Sequence, residues 1–278
     1  MSSLHPGPNT PHDERENADV EERIAPSAGV VYSTIMHQGE QELFRPFSDL
    51  AFSALAAGLS MGFSFVAEAL LTIALPDTPW RELITKFGYS IGFLIVILGR
   101  QQLFTESTLT PVLPLLRETS RPRLVRLILF WAVVLAGNML GVAVFAWVIS
   151  HFAVFDENVR HGFRLVAEHV YADRPEITFI RAVFAGWLIA LMVWLLPFAE
   201  TSRVHVIILL TYLIGLGHFD HIIAGSTEKL YLLFTGGDSP ARFFLHFWLP
   251  TLLGNMTGGI LLVAALNHGQ VTSGQAAG

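Results

Sequence analysis

The 278-residue sequence contains no cysteine, which excludes a disulfide framework, thiol catalysis and a cysteine-ligated metal site. Charge is scarce as well. Asp, Glu, Lys and Arg make up 14% of the chain, against roughly 25% in soluble domains, so most of the chain has no coat suited to water. The acidic residues crowd the first 43 positions and the stretch 156–176, and the net charge of −6 comes with no basic tract, which argues against nucleic acid as a partner. The N-terminus lacks the basic-then-apolar order of a cleaved signal peptide, so targeting is expected to come from the first membrane span. There is no nucleophile–base pair, and no glycine-rich loop follows a strand. His218 and His221, three apart and without further ligands, are a weak metal signal. Neither an enzyme nor a cofactor or metal site is therefore expected.

What the chain does have is apolar length. Hydrophobic residues make up 52% and mean hydropathy is +0.51. Residues 1–28 are rich in Pro, Ser, Asp, Glu and Asn and are expected to be a disordered tail. Residues 29–45 form an amphipathic pattern suited to a membrane surface. Apolar runs long enough to cross a bilayer follow at 46–75, 88–116, 124–150, 177–199, 204–234 and 243–267, and a short polar tail closes the chain at 268–278. The expected fold is an all-α membrane protein of six transmembrane helices. Arg117, Arg121, Arg123 and Arg126 between the second and third spans mark that loop, and with it both termini, as cytoplasmic. Arg160, Arg164 and Arg174 on the other side weaken that bias.

Spans two and five are unlike the others. The second holds Arg100, Gln101, Gln102, Thr105 and Glu106, and the fifth holds Gly217, His218, Asp220 and His221. A charge at mid-bilayer costs at least about 2.5 kcal/mol on insertion scales, and non-helical backbone there must be enclosed by protein. Both spans are therefore expected to break in the middle. A repeat supports this. Gly137-Asn138-Met139-Leu140-Gly141 in span three matches Gly254-Asn255-Met256-Thr257-Gly258 in span six at all but one position. Thr105 precedes Asn138 by 33 residues (138 − 105), and His221 precedes Asn255 by 34 (255 − 221). Spans 1–3 and 4–6 share one plan, and three spans per half make it an inverted repeat, with the site where the two breaks meet.

His221 is the central chemical group, since an imidazole holds or releases a proton near neutral pH. The bland alternative is a histidine that ties a broken helix together by hydrogen bonds. Thr105 would face it and offer a hydroxyl. Leu103 and Phe104 would either narrow the passage or simply pack. Asn138 and Asn255 are expected to bond backbone groups freed at the breaks. Among the other charges, Glu106 is expected to pair with Arg100 and Glu68 with Arg181, since unpaired charges at this depth are costly.

Taken together, Glu42-Leu43-x-Arg45-Pro46, Gly99-x-x-x-Leu103-Phe104-Thr105, the two Gly-Asn motifs and Phe219-Asp220-His221 resemble the formate/nitrite transporter family over residues 42–267. That family has Phe-Glu-His at the last motif. The resemblance implies an aquaporin-like protomer with spans two and five broken, a homopentamer with one pore per protomer in a bacterial inner membrane, and passage of a small weak-acid anion with a proton. It further implies that Leu103, Phe104 and Phe93 line one hydrophobic slit and Ile214, Val193 and Phe104 the other, with Thr105 and His221 between them. Ala190 and Gly225 stand where well-studied members carry Asn, and Glu68 and Glu106 are additional acids, which sets the chain in a branch apart. Two other functions remain open on the sequence: a passive pore for neutral solutes, and a membrane scaffold or sensor without flux.

Overall fold

The structure, a computed structural model, describes residues 26–168 and 174–270. Residues 1–25 and 271–278, which make up most of the two expected tails, lie outside the described residues. Among the described residues all regular structure is helical, in the order α1 (Ala28–Leu43), α2 (Phe47–Ala74), α3 (Arg81–Thr85), α4 (Ser90–Leu98), α5 (Val112–Arg117), α6 (Arg121–His151), α7 (Glu157–Glu168), α8 (Pro175–Leu195), α9 (Arg203–Leu216), α10 (Ile222–Phe234) and α11 (Pro240–Gln270).

Among the described residues four helices are long and apolar enough to cross a membrane: α2, α6, α8 with its 3₁₀ extension to Phe198, and α11. At 1.5 Å per residue the 28 residues of α2 span about 42 Å, more than the ~30 Å hydrocarbon layer. Their outward faces are apolar: Phe52, Ile128, Leu140, Ile180 and Leu261 are each at least half exposed, an arrangement suited to lipid or to another apolar surface rather than to water. In α11, Pro250 has no N–H to give the preceding turn, and the helix widens into a π turn over Phe243–Trp248. That helix also runs beyond the expected limit at residue 267, since Asn267 Nδ2 donates to Val263 O and His268 Nδ1 meets the Tyr32 hydroxyl of α1 at 2.6 Å.

The long helices pack in two matching pairs, α2 with α6 and α8 with α11. Each pair crosses where glycine removes the side chain. A Cβ at Gly58 would stand 2.2 Å from Asn138 O, and one at Gly186 would stand 2.2 Å from Asn255 O. Both asparagines of the repeated motif thus lie at a helix crossing, with their side chains inside.

The remaining two apolar runs are not continuous helices. Over 88–116 the chain forms α4, an irregular stretch, a single 3₁₀ turn (Glu106–Thr108) and α5. Over 204–234 it forms α9, a break and α10. The two breaks begin in the same way. Gln101 N donates to Val96 O and Arg100 N to Ile97 O; Phe219 N donates to Ile214 O and His218 N to Gly215 O. This is the Schellman arrangement that ends a helix. Arg100 (φ 51°) and His218 (φ 49°) take the left-handed position usually reserved for glycine.

Helix α1 ends at Leu43, two residues short of expectation, because Pro46 opens α2 and the chain must turn before it. Arg126 clamps the turn: its guanidinium donates to Leu43 O at 2.8 Å and Arg45 O at 2.6 Å and stacks on Phe47. On the opposite side, α7 is amphipathic and buries Val159, Phe163 and Val166 against α2.

Candidate functional site

The site is assembled from the two breaks, each held open by an asparagine. Asn138 Oδ1 accepts from Phe104 N at 2.9 Å, while its Nδ2 donates to Gln102 O at 3.0 Å and Ala54 O at 2.7 Å. Asn255 does the same for the other break: Oδ1 accepts from Ile222 N at 2.8 Å, and Nδ2 donates to Asp220 O at 2.9 Å and Ala182 O at 2.8 Å. Backbone groups that lose helical partners in an apolar interior must find others, and one carboxamide supplies both a donor and an acceptor. The matching bonds also define the repeat more closely than sequence spacing does. Phe104 corresponds to Ile222 and Gln102 to Asp220, so His221 corresponds to Leu103 rather than to Thr105.

At the centre, Thr105 Oγ1 and His221 Nε2 are 2.8 Å apart, and both residues are essentially inaccessible. His221 is also the N-cap of α10, where its Nδ1 accepts from Ile223 N (3.3 Å) and Ala224 N (3.2 Å). That geometry assigns the tautomer. Nδ1 is an acceptor, so the ring proton of the neutral imidazole lies on Nε2 and is donated to Thr105 Oγ1. The threonine hydroxyl proton is then free to face another group. Phe93 stands edge-on to the imidazole, with ring centroids 5.0 Å apart, and Phe93, Leu103 and Phe104 are all fully buried around the pair.

A cavity opens on each side of this dry centre. On the α7 side a cavity of about 40 Å³ is bordered by His221, Ile214, Asp220, Glu228, Glu68 and Lys86, with Arg181 and His218 at its rim. On the α1 side a cavity of about 620 Å³ is bordered by Glu42, Arg45, Arg100, Glu106, Val193 and Arg203. Ile214 and Val193 thus border opposite cavities. Within the second cavity Thr110 Oγ1 donates to Glu42 Oε2 at 2.6 Å, and Arg45 bonds Gln102 Oε1 at 3.0 Å. Glu42 loses water here, which pushes its carboxyl above the usual carboxylate range, while Thr110 and Arg45 pull it back.

Two expected ion pairs do not form. Glu68 pairs with Lys86, not with Arg181. The chain after α3 passes directly over α2, so that a Cβ on Gly88 would stand 2.6 Å from Glu68 N, and Lys86 is the cation this brings nearest. Glu106 does not pair with Arg100. A pair along one helix face needs a continuous helix, but α4 ends at Leu98 and the chain turns at Arg100, and Glu106 Oε1 is buried without a hydrogen-bond partner. Sequence reasoning also passed over Glu228 and Lys229. Both are buried, and Lys229 Nζ donates to Ala167 O at 2.6 Å. The signal was present, since two adjacent charges inside the apolar run at 204–234 are as costly as the ones that were noticed.

A helical protein with membrane-length apolar helices, twin interrupted helices meeting head to head, and a buried polar pair between two charged cavities belongs to the class of membrane channels and transporters. Comparison with known proteins narrows the class. The sequence profile described as "Formate/nitrite transporter" matches residues 29–269, and the chain belongs to that family. It is 42% identical over 251 residues to the inner membrane protein YfdC of Escherichia coli (strain K12), covering 90% of this chain and 81% of that one. It is 24% identical to the formate channel FocA of Haemophilus influenzae, over 81% of this chain and 87% of that one. Among solved structures, a pentameric formate channel with formate bound superimposes with a TM-score of 0.67 over 79% of this chain and 95% of that one, at 21% identity. An FNT family ion channel superimposes with a TM-score of 0.71 over 84% and 96%, at 19% identity.

Proposed function

We propose that the protein is a channel or proton-linked transporter for small monovalent weak-acid anions of the formate/nitrite class. In this reading each protomer has six spans, the second and fifth interrupted, and sits in a homopentamer in a bacterial inner membrane with both termini cytoplasmic. The observation that carries the reading is the 2.8 Å contact between Thr105 Oγ1 and His221 Nε2, walled by Phe93, Leu103 and Phe104 and flanked by two cavities.

An ion cannot cross a dry apolar gap cheaply, and a neutral acid can. Lys86 and Arg181 on one side, and Arg45, Arg100 and Arg203 on the other, favour the arrival of an anion. In the gap, His221 holds Thr105 so that the threonine hydroxyl donates to the passing species, which moves as the protonated acid. One proton then accompanies each anion.

The test is flux into proteoliposomes of the full-length protein. Formate or nitrite uptake is expected to rise as external pH falls, to alkalinise the outside, and to drop at least ten-fold in His221→Ala. Flux of an uncharged solute that is indifferent to pH and survives His221→Ala would instead identify a passive neutral pore.

A further inference from the structure

Each mouth of the dry gap carries a carboxyl group with one oxygen that no protein group hydrogen-bonds. On the α7 side this is Asp220, immediately before His221 in the chain. It is only 4% exposed, borders the cavity, and has no hydrogen-bond partner at Oδ2. On the α1 side it is Glu106, immediately after Thr105. It borders the other cavity, and its Oε1 is buried and equally without a partner. The repeat does not require this pairing: the position matching Asp220 is Gln102, whose amide donates to Ser107 Oγ at 2.7 Å and whose Oε1 accepts from Arg45. A buried polar atom without a partner is uncommon and calls for a role. A carboxyl group that borders a cavity and is not fully bonded by the protein is able to exchange a proton with whatever enters that cavity.

We propose that Asp220 and Glu106 are the proton-exchanging groups at the two ends of the gap. This rests on the anion-transport reading above. His221 is ill placed for the task, because Nδ1 is committed to two backbone N–H groups and Nε2 to Thr105. In inward passage the anion is drawn to Arg181 and Lys86. The O–H bond of the Asp220 carboxyl breaks, and the proton forms an O–H bond on an anion oxygen. Asp220 is left as carboxylate and takes a proton back from water on that side. The neutral acid passes Thr105. On the α1 side its O–H bond breaks again, the proton passes to the Glu106 carboxylate, and the anion leaves past Arg45 and Arg203. Glu106 returns the proton to water, so one proton and one anion have crossed together. Outward passage reverses the order.

The groups facing each carboxyl set the pH at which it exchanges. Asp220 faces Arg181 of α8, Lys229 and Glu228 of α10, and across the cavity Glu68 with its partner Lys86, and His218. Glu106 faces Glu42 of α1, with Arg45, Arg100 and Arg203 around the same cavity.

The experiment measures isotope-labelled formate uptake together with internal pH in proteoliposomes of the full-length protein, over external pH 5 to 8. Asp220→Asn and Glu106→Gln are nearly isosteric and keep the polar surface but not the exchangeable proton. Each is expected to cut uptake at least ten-fold and to flatten its pH profile, while the particle keeps its size on gel filtration. Asp220→Glu is expected to restore both rate and profile to within about two-fold. If Asp220→Asn does not assemble, Glu106→Gln carries the test alone. Wild-type rate and pH profile in the assembled variants overturns the carboxyl assignment and leaves the anion-transport reading standing. A wild-type protein that moves neither formate nor nitrite at any pH overturns both.

Discussion

Two asparagine side chains do the structural work of the site. Each makes two hydrogen bonds to backbone groups that have lost helical partners at a break and a third to a carbonyl of a neighbouring long helix, Ala54 O or Ala182 O. Leaving one buried polar group unpaired costs about 1–3 kcal/mol, so Asn138→Ala or Asn255→Ala, which strands two, is expected to lower stability by at least about 2 kcal/mol. Thermal unfolding in detergent should show a clear drop in midpoint, and an unchanged midpoint would refute the role. Glu42 supports a pH prediction. Its carboxyl is raised by loss of water, so the ionised form is disfavoured in the fold. Its contribution to stability is therefore complete below the ordinary carboxylate value near 4.5 and is lost as pH rises through the raised value. Glu42→Gln, which keeps an acceptor for Thr110, should match the wild type at pH 4 and unfold at higher temperature than it at pH 8. An equal difference at both values would contradict this.

Among the helices, the decisive contacts are the two glycine crossings. Because a Cβ at Gly186 would stand 2.2 Å from the Asn255 carbonyl, α8 and α11 would have to separate, and the asparagine that holds the second break would shift with them. Overpacking of this kind costs about 1–3 kcal/mol. Gly186→Ala and Gly58→Ala are expected to destabilise by that amount and to slow transport, as read by unfolding midpoints and proteoliposome flux. Gly29→Ala, whose Cβ would meet nothing closer than 3.8 Å, is the control and should change neither. The breaks themselves are local. The helices that enter the breaks, α4 and α9, each end in a Schellman turn with a left-handed residue, Arg100 or His218, at a cost of about 1–2 kcal/mol for a residue other than glycine.

For the whole molecule, the question is what covers its outer surface. The long helices present Phe52, Ile128, Leu140, Ile180 and Leu261 outward, a surface suited to lipid or to another copy of the chain. The fold matches that of a pentameric formate channel. Native mass spectrometry of the detergent-solubilised protein is expected to give five times the 30.7 kDa chain mass, and a monomer stable across detergents would remove the homopentamer from the proposal.

Much of this was legible in the sequence. Apolar run length located α2 at Phe47–Ala74 within a residue of the expected limits, because twenty apolar residues in a row allow little besides a membrane helix. The repeated Gly-Asn motif and the polar interruptions marked where the chain breaks and where Asn138, Asn255, Thr105 and His221 stand around the breaks. What a linear pattern cannot carry is which group meets which. Lys86 rather than Arg181 reaches Glu68 because the chain crosses α2 at Gly88, and Arg100 misses Glu106 because the helix between them ends. His221 caps α10 through its own near neighbours, but it meets Thr105 only because two segments more than a hundred residues apart close on each other. The sequence by itself determined the long helices and where two apolar runs are interrupted, since those depend on neighbours along the chain. Only the tertiary structure decided the ion pairs, the histidine tautomer and the unpartnered carboxyls, since those depend on side chains brought within hydrogen-bonding distance by the crossing of helices.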